Sequence, residues 1–360
     1  MLSKRLVSRS EEIEPVPENP TETPDPPGLD LARLRGHLDR ELPGTVTGPL
    51  RARLIEGGRS NLTYVLTDGT TRWVLRRPPL GHVLATAHDM GREHRVMTAL
   101  RGTGVPIPGT LHLDTGTEVL GAPWYLMEFV PGTAHRDAAP LAALGPDRVH
   151  ALGERLVDTL ATLHRIDPAA VGLADFGRPE GYLERQLRRW STQLAASRSR
   201  ELPGVDRLHD LLATRLPASP APALVHGDYR LDNVLIDAED TITAVLDWEM
   251  STLGDPLTDV GLLVMYTELA GVGGGIIPSA ATAPGFPPAG ELVARYAGLT
   301  GRDAAELDWY VAFASFKLAV VAEGIHYRFQ QGRTLGAGFE RAGEMAPVLA
   351  EHGLTTLKDR

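Results

Sequence analysis

Leu224-Val225-His226-Gly227-Asp228-Tyr229-Arg230-Leu231-Asp232-Asn233-Val234-Leu235-Ile236-Asp237 is followed, after a short polar break, by Ile242-Thr243-Ala244-Val245-Leu246-Asp247-Trp248-Glu249. The stretch reads as a β island among helices: a His-x-Asp-x4-Asn spacing, a short hairpin, and an aspartate at the end of the returning strand. A hairpin brings its two strand ends together, so Asn233 and Asp247 are expected close in space. Phosphoryl transfer needs such parts: one carboxylate beside an acceptor hydroxyl to orient it and take its proton, and a carboxylate with an amide oxygen to hold magnesium against phosphates. Asp228, Asp247 and Asn233 fit those roles. Aspartate and asparagine also suit turns and caps for purely local reasons. The complete pattern, in a chain whose only asparagines are at 19, 61 and 233, argues for the chemical reading.

The stretch resembles the aminoglycoside phosphotransferase and choline kinase-like family of small-molecule kinases, with its His-Gly-Asp-x4-Asn signature. The likeness covers about residues 29 to 350. It is nearest to the branch found joined to acyl-CoA dehydrogenase domains, through Gly57-Gly58-Arg59-Ser60-Asn61-Leu62-Thr63-Tyr64, Trp73-Val74-Leu75-Arg76-Arg77-Pro78-Pro79 and Leu246-Asp247-Trp248-Glu249. The resemblance implies an α+β, two-lobed, protein-kinase-like fold, with a small antiparallel-sheet N-lobe and a mostly helical C-lobe. It implies Asp228 as catalytic base, Asn233 and Asp247 as Mg2+ ligands, and ATP or GTP as co-substrate. Arg230, two residues past the base, is a candidate for steadying the transferring phosphoryl group. His226 is expected to be a structural hydrogen-bonding residue, and Asp259 to brace the catalytic loop.

The amino-terminal half contains what such a lobe requires, with one departure. Helical spacing of Leu31, Leu34, Leu38 and Leu42 opens it, and Pro43-Gly44 closes that helix. Strands follow around Leu50 to Ile55, Leu62 to Leu66 and Trp73 to Leu75, the last two joined across Asp68-Gly69. Gly57, Gly58, Ser60 and Asn61 lie between the first two strands, where backbone N–H groups can approach phosphate oxygens. The family places a lysine on the third strand, yet the chain's lysines are at 4, 317 and 358 alone. Arg76 occupies the expected position, with Arg77 on the opposite face of the strand; Glu93, in a helix from Thr86 to Leu100, is the expected partner. Met127-Glu128-Phe129-Val130 ends the strand from Trp124, and the backbone at Glu128 and Val130 is the candidate purine hinge.

Residues 1–28 carry six prolines and six acids against three bases and are expected to be a disordered leader. The N-lobe is expected over 29–131 and the helical C-lobe over 132–360, the latter with the catalytic loop 226–233 and the metal-binding strand end 247–249. C-lobe helices are expected near Asp147–Arg165, Pro179–Ala196, Val205–Leu216, Pro256–Ala270, Ala289–Ala297 and Ala304–Gln330. Asp255-Pro256 reads as an N-cap with proline at the first helical position. His164 reads as a core histidine or a helix C-terminal cation. Gly271 to Gly290 reads as a long loop and a candidate lid.

Composition narrows the function. The chain has 360 residues, with 42% apolar, 23% charged, a net charge of −10 and no cysteine. Cysteine chemistry and thiolate metal sites are excluded, and the acidic balance argues against nucleic-acid binding. Neither a signal-peptide pattern nor a membrane-length apolar run is present, so a cytoplasmic protein without a membrane partner is expected. The expected activity is ATP- or GTP-dependent phosphorylation of a small-molecule hydroxyl, on a hydroxy acid or hydroxyacyl-CoA. Alternatives are an aminoglycoside kinase and a nucleotide-binding pseudokinase. Arginines 178, 185, 188, 189, 198 and 200, against glutamates 180 and 184, favour the anionic acceptor.

Overall fold

The computed structural model describes residues 25–55, 61–80, 88–273, 276–332 and 341–358. Two compact units divide the chain, Met1–Thr133 with Thr243–Glu249, and Ala134–Ile242 with Met250–Arg360.

The first unit is built on α1 (Leu31–Glu41), β1 (Arg51–Leu54), β2 (Leu62–Thr67), β3 (Arg72–Arg77), α2 (Met90–Leu100), β4 (Thr110–Asp114) and β5 (Trp124–Glu128). Its five strands form one antiparallel sheet in the order β1-β2-β3-β5-β4. Strand alternation sorts the residues by face. Tyr64, Leu66, Trp73, Leu75, Trp124 and Leu126 form a core with Leu34 and Leu38 of α1. The other face carries Arg76 and its register partner Tyr125, and α2 packs against β4 and β5. Asp89 caps α2 by accepting from Arg92 N; residues 81–87, which include the expected helix start at Thr86, lie outside the described residues.

Residues 1–24 of the expected leader also lie outside the described residues. Its last four residues do not behave as a free leader. Asp25 accepts from Leu31 N, and Pro27 O accepts from the buried Tyr64 hydroxyl. Arg77, on the α1 face, donates to Gly28 O and to Leu120 O. Thr243–Glu249 also differs from expectation, grouping with the sheet rather than with the C-lobe. Val245 N donates to Pro106 O at 2.8 Å, Thr243 Oγ1 donates to Pro131 O at 3.2 Å, and Asp247 meets Arg76.

The second unit contains α3 (Ala138–Ala142), α4 (Pro146–Arg165), α5 (Tyr182–Ser197), α6 (Pro203–Thr214), β6 (Ala223–Val225) and β7 (Val234–Ile236). The chain then passes through β8 (Ile242–Val245) and continues with β9 (Thr252–Gly254), α7 (Leu257–Glu268), α8 (Ala289–Thr300), α9 (Leu307–Gln330) and α10 (Ala342–Thr356). Helix α9 is the hub, packed on α5, α6, α7 and α10. Close approach to α7 depends on Gly261, where a Cβ would lie 2.5 Å from the Tyr310 carbonyl carbon. The expected lid is a packed segment over its described part: Ile277, Ala280 and Ala283 are buried, and Ser279 N and Ala280 N both donate to Arg136 O. Among the described residues no helix is long and apolar enough to cross a membrane.

The β2–β3 turn is organised by one carboxylate. Asp68 Oδ1 accepts from Thr70 N, Thr71 N and Thr70 Oγ1, and Oδ2 accepts from Thr47 N and Thr47 Oγ1. Burial alone would raise its pKa, but the amides of Thr71, Thr47 and Thr70 outweigh it and hold the group well below the ordinary carboxylate range. A folded pKa below the unfolded value of about 3.9 stabilises the fold above that pH, and the contribution is lost as pH falls towards the folded value. Asp68→Ala should therefore cost about 2 kcal/mol at neutral pH. In urea unfolding the gap between variant and wild type should narrow below pH of about 4; a gap independent of pH would contradict the assignment.

Candidate active site

In the sheet unit the organising group is Arg76. Its position on the α2 face of β3 brings Nη1 to 3.2 Å from Glu93 Oε1 and Nη2 to 3.2 Å from Asp247 Oδ1. Glu93 is almost fully buried. Its burial raises the carboxyl pKa, Arg76 pulls it back down, and Asp247 adds to the rise. The guanidinium pKa moves upward: burial opposes its charge, and Glu93, Tyr125 and Asp247 more than restore it. Asp247 itself adopts φ 65°, a left-handed conformation that aspartate tolerates better than most residues. Arg77 points the other way, onto Gly28 and Leu120 as described.

Asn61 ties the start of β2 to the same corner. Its Nδ2 donates to Glu249 Oε2 at 3.1 Å, and His88 Nδ1 donates to its Oδ1 at 2.8 Å. Gly57, Gly58 and Ser60 lie outside the described residues. At the candidate hinge, Glu128 N already donates to Gly109 O at 2.8 Å, and the Glu128 side chain accepts from Gly109 N. That backbone N–H is thus committed, whereas none of the hydrogen bonds described involves the Val130 backbone.

In the helical unit the loop from His226 to Asn233 is held from below by Asp259, the first-turn acid of α7. Its side chain is inaccessible and accepts from His226 N at 2.7 Å and Gly227 N at 2.8 Å, while His164 Nε2 lies 3.2 Å away. Burial would raise the Asp259 pKa, but His164, His226 and the Gly227 amide outweigh it, and the net shift is downward. His164 also meets the Tyr296 hydroxyl at 2.7 Å, which makes it a core histidine. The expected cap Asp255 closes the start of α7: Oδ1 accepts from Leu257 N, with Pro256 between them, and Oδ2 accepts from Tyr310 OH.

Above this floor, Gly227 turns the chain at φ 87°, where a Cβ would fall 2.7 Å from Met250 Cβ. His226 Nδ1 accepts from Asp228 N at 3.2 Å. The Asp228 side chain is 25% exposed, so it is both held and reachable. Asn233 Nδ2 donates to Asp228 O at 2.8 Å and to Oδ2 at 3.1 Å, and Arg230 Nε lies 3.3 Å from Oδ2. Arg230 is shared with Asp232 at 3.3 Å, and its Cζ lies 5.1 Å from the Tyr266 ring centre. Asp232, which had no assigned role, bridges to Arg136 at 3.3 Å; burial raises its pKa against the pull of Arg230 and Arg136.

One residue the sequence reading did not single out for the site is Lys317 of α9. Its ammonium donates to Gly227 O and lies 5.5 Å from the Trp190 ring centre. Burial lowers its pKa; Asp228 and Asp259 oppose the fall, and Arg189 and Arg230 add to it. The available signal was compositional: it is one of three lysines among 36 basic residues, inside the largely apolar run Trp309 to Ile325, whose one other charged residue is Glu323.

Residues 51–309 match the model of the phosphotransferase enzyme family, APH. The chain belongs to this family. Acyl-CoA dehydrogenase family member 11 of Gallus gallus is 34% identical over 341 residues, covering 92% of this chain and 44% of that protein. The chain thus spans less than half the length of this curated relative. A Ralstonia eutropha structure, provisionally named an aminoglycoside phosphotransferase, is 34% identical with a TM-score of 0.79, covering 92% of this chain and 98% of that one. A thermostable mutant of the aminoglycoside phosphotransferase APH(4)-Ia, in ternary complex with AMP-PNP and hygromycin B, shares the fold at 17% identity and a TM-score of 0.52, covering 90% of this chain and 97% of that one. The fold is the α+β, two-lobed fold of these kinase-like phosphotransferases.

Arg76 neutralises a carboxylate that is almost entirely buried, so its removal leaves an uncompensated charge. Arg76→Ala should cost about 3–5 kcal/mol, measured by chemical denaturation, and the double variant Arg76→Met with Glu93→Leu should recover most of it. An unchanged midpoint for the single variant would show that the pair does not hold the sheet to α2.

Proposed function

We propose that this phosphotransferase moves the γ-phosphoryl group of ATP or GTP to a hydroxyl of a small anionic molecule, a hydroxy acid or a hydroxyacyl-CoA ester. The observation that carries the phosphoryl-transfer reading is the Asp228 carboxylate. It is anchored through Oδ2 by Asn233 and Arg230, raised on a loop pinned by Asp259, and partly open to solvent. In this reading Asp228 orients the acceptor hydroxyl and takes its proton as the oxygen attacks phosphorus. Arg230, beside Asp228 and Asp232, steadies the phosphoryl oxygens. Arg76, fixed by Glu93, serves in place of the family lysine as the cation for phosphate oxygens.

The residues assigned to Mg2+ suit a hard cation. Asn233 spends Nδ2 on Asp228, which leaves Oδ1 as a neutral oxygen donor, and Asp247 offers a carboxylate. When bound, Mg2+ would neutralise phosphate charge. Asn61, tied to Glu249, sets the end of the segment that includes Gly57, Gly58 and Ser60, which this reading assigns to the phosphates, and the Glu128–Val130 backbone is assigned to the purine. AMP-PNP in the APH(4)-Ia complex supports a nucleotide co-substrate here.

The acceptor class rests on charge. Arg188 and Arg189 are exposed on α5, and Lys317 adds a third cation beside the Gly227 carbonyl. A cationic aminoglycoside would be repelled by that surface and an anion drawn to it. The name of the chicken relative, which refers to acyl-CoA chemistry in a longer protein, agrees with this choice.

The test is nucleoside diphosphate release with a panel of hydroxy acids, hydroxyacyl-CoA esters and aminoglycosides. Turnover of an anionic acceptor is expected, and phosphorylation of aminoglycosides alone would overturn the acceptor class. Asp228→Asn should lower kcat by about a hundred- to ten-thousand-fold while nucleotide affinity stays near wild type; near-normal kcat would remove Asp228 from its role. Asp247→Ala should abolish the Mg2+ dependence of ATP binding in calorimetry, and an unaltered Mg2+-ATP affinity would count against it as a ligand.

A further inference from the structure

The basic stretch between Arg178 and Arg200 is not one uniform surface. Arg185 donates to the carbonyls of Arg178 and Glu180 and so closes the start of α5. Arg198 is paired with Asp206, and Arg200 is held by Glu323 and by Gly343 O. These three are structural. Arg189 differs: its guanidinium carbon lies 5.6 Å from the centre of the Trp190 ring, and no ion pair with it is found among the described residues.

Lys317 stands at the same indole, its Nζ 5.5 Å from the ring centre. Two cations sharing one aromatic ring gain quadrupole attraction from it but repel each other. An ammonium has three N–H donors, and one is spent on Gly227 O. Among the described residues no carboxylate lies within ion-pair distance of Lys317. A part-buried ammonium with donors to spare and a second cation at the same ring make a place with a net demand for an anion, and the carbonyl that the ammonium holds is one residue from Asp228.

We propose that Lys317 and Arg189, both at the Trp190 ring, form the acceptor-selecting subsite, binding an anionic oxygen of the acceptor while its hydroxyl meets Asp228. The inference rests on the phosphotransferase reading above and deepens it: Lys317 is the inner contact, Arg189 the exposed outer one. The shared chemistry is an anionic oxygen, which a hydroxy acid supplies as carboxylate and a hydroxyacyl-CoA ester as phosphate.

Two matched pairs of probes separate these sources: a hydroxyhexanoate against its primary amide, and the hydroxyhexanoyl-CoA ester against the hydroxyhexanoyl-pantetheine ester. For each pair the readout is the ratio of kcat/KM for the charged over the neutral member. Wild type should favour the charged member by about tenfold or more in one pair, with the loss falling on KM. Lys317→Met and Arg189→Gln should each bring that ratio towards one, and Lys317→Arg should keep part of it. Selectivity in the acid–amide pair identifies a carboxylate, and selectivity in the CoA–pantetheine pair identifies the phosphates. Lys317 also braces Gly227, so Lys317→Met can lower kcat through the loop, but that loss would fall equally on both members and leave the ratio intact. Should Lys317→Met fail to fold, Arg189→Gln on the exposed face of α5 carries the test. A wild-type ratio near one, or a ratio that survives both substitutions, overturns the subsite even where anionic acceptors are turned over. Absence of any turnover with the charged probes, alongside turnover of aminoglycosides, overturns the acceptor class and the subsite together.

Discussion

The candidate site in the helical unit hangs on a single buried carboxylate. Asp259 has no access to water and gives its oxygens to consecutive backbone amides, His226 and Gly227. An ionised group in such a place is costly unless its hydrogen bonds are complete, and here a histidine completes them. The cost explains the rigidity: the loop cannot lift without stranding a charge in the core. Gly227 is equally constrained from above, since Met250 leaves no room for a side chain. The carboxylate projecting from the next residue, Asp228, is therefore held on a fixed stretch of backbone.

The sheet unit solves a parallel problem with arginine. A lysine in the place of Arg76 would be one point charge shared between two carboxylates, whereas the guanidinium fork reaches Glu93 with one nitrogen and Asp247 with another. Because arginine does not lose its proton at any physiological pH, the corner keeps its charge even though it is buried. The departure from the family pattern is thus a change of geometry with the charge retained.

Much of this was legible in the chain. The alternation of Trp73, Leu75 and Arg77 against Val74 and Arg76 separates the two arginines by face, and the geometry places Arg76 with Glu93 and Arg77 with Gly28. Helices with an apolar stripe, such as α4, were read to within a residue or two. What escaped notice depends on partners distant in sequence. Strand β9 has three residues and exists only because β6 pairs with it. Helix α10 carries Pro347 inside it and weak periodicity, and packing on α9 supports it. The membership of Thr243–Glu249 in the sheet unit depends on Pro106, Pro131 and Arg76, and the significance of Lys317 on a backbone carbonyl 90 residues away. The candidate lid failed for the same reason, since glycine and proline content predicts irregular backbone but not whether that backbone is tied down.

The short strap from Asp25 to Gly28 limits how far the chain can be trimmed. Pro27 and Gly28 supply the carbonyls that satisfy the Tyr64 hydroxyl and one nitrogen of Arg77, both inside the sheet's main apolar core. A protease or a gene truncation that removed residues only as far as Pro24 would leave those acceptors in place. Cutting five residues further would leave a phenol hydroxyl and one guanidinium N–H without their acceptors, although Leu120 O would still hold the guanidinium, at a cost of about 1–3 kcal/mol for each stranded donor. The boundary of the folding unit is accordingly set by two hydrogen bonds, several residues before the first helical turn.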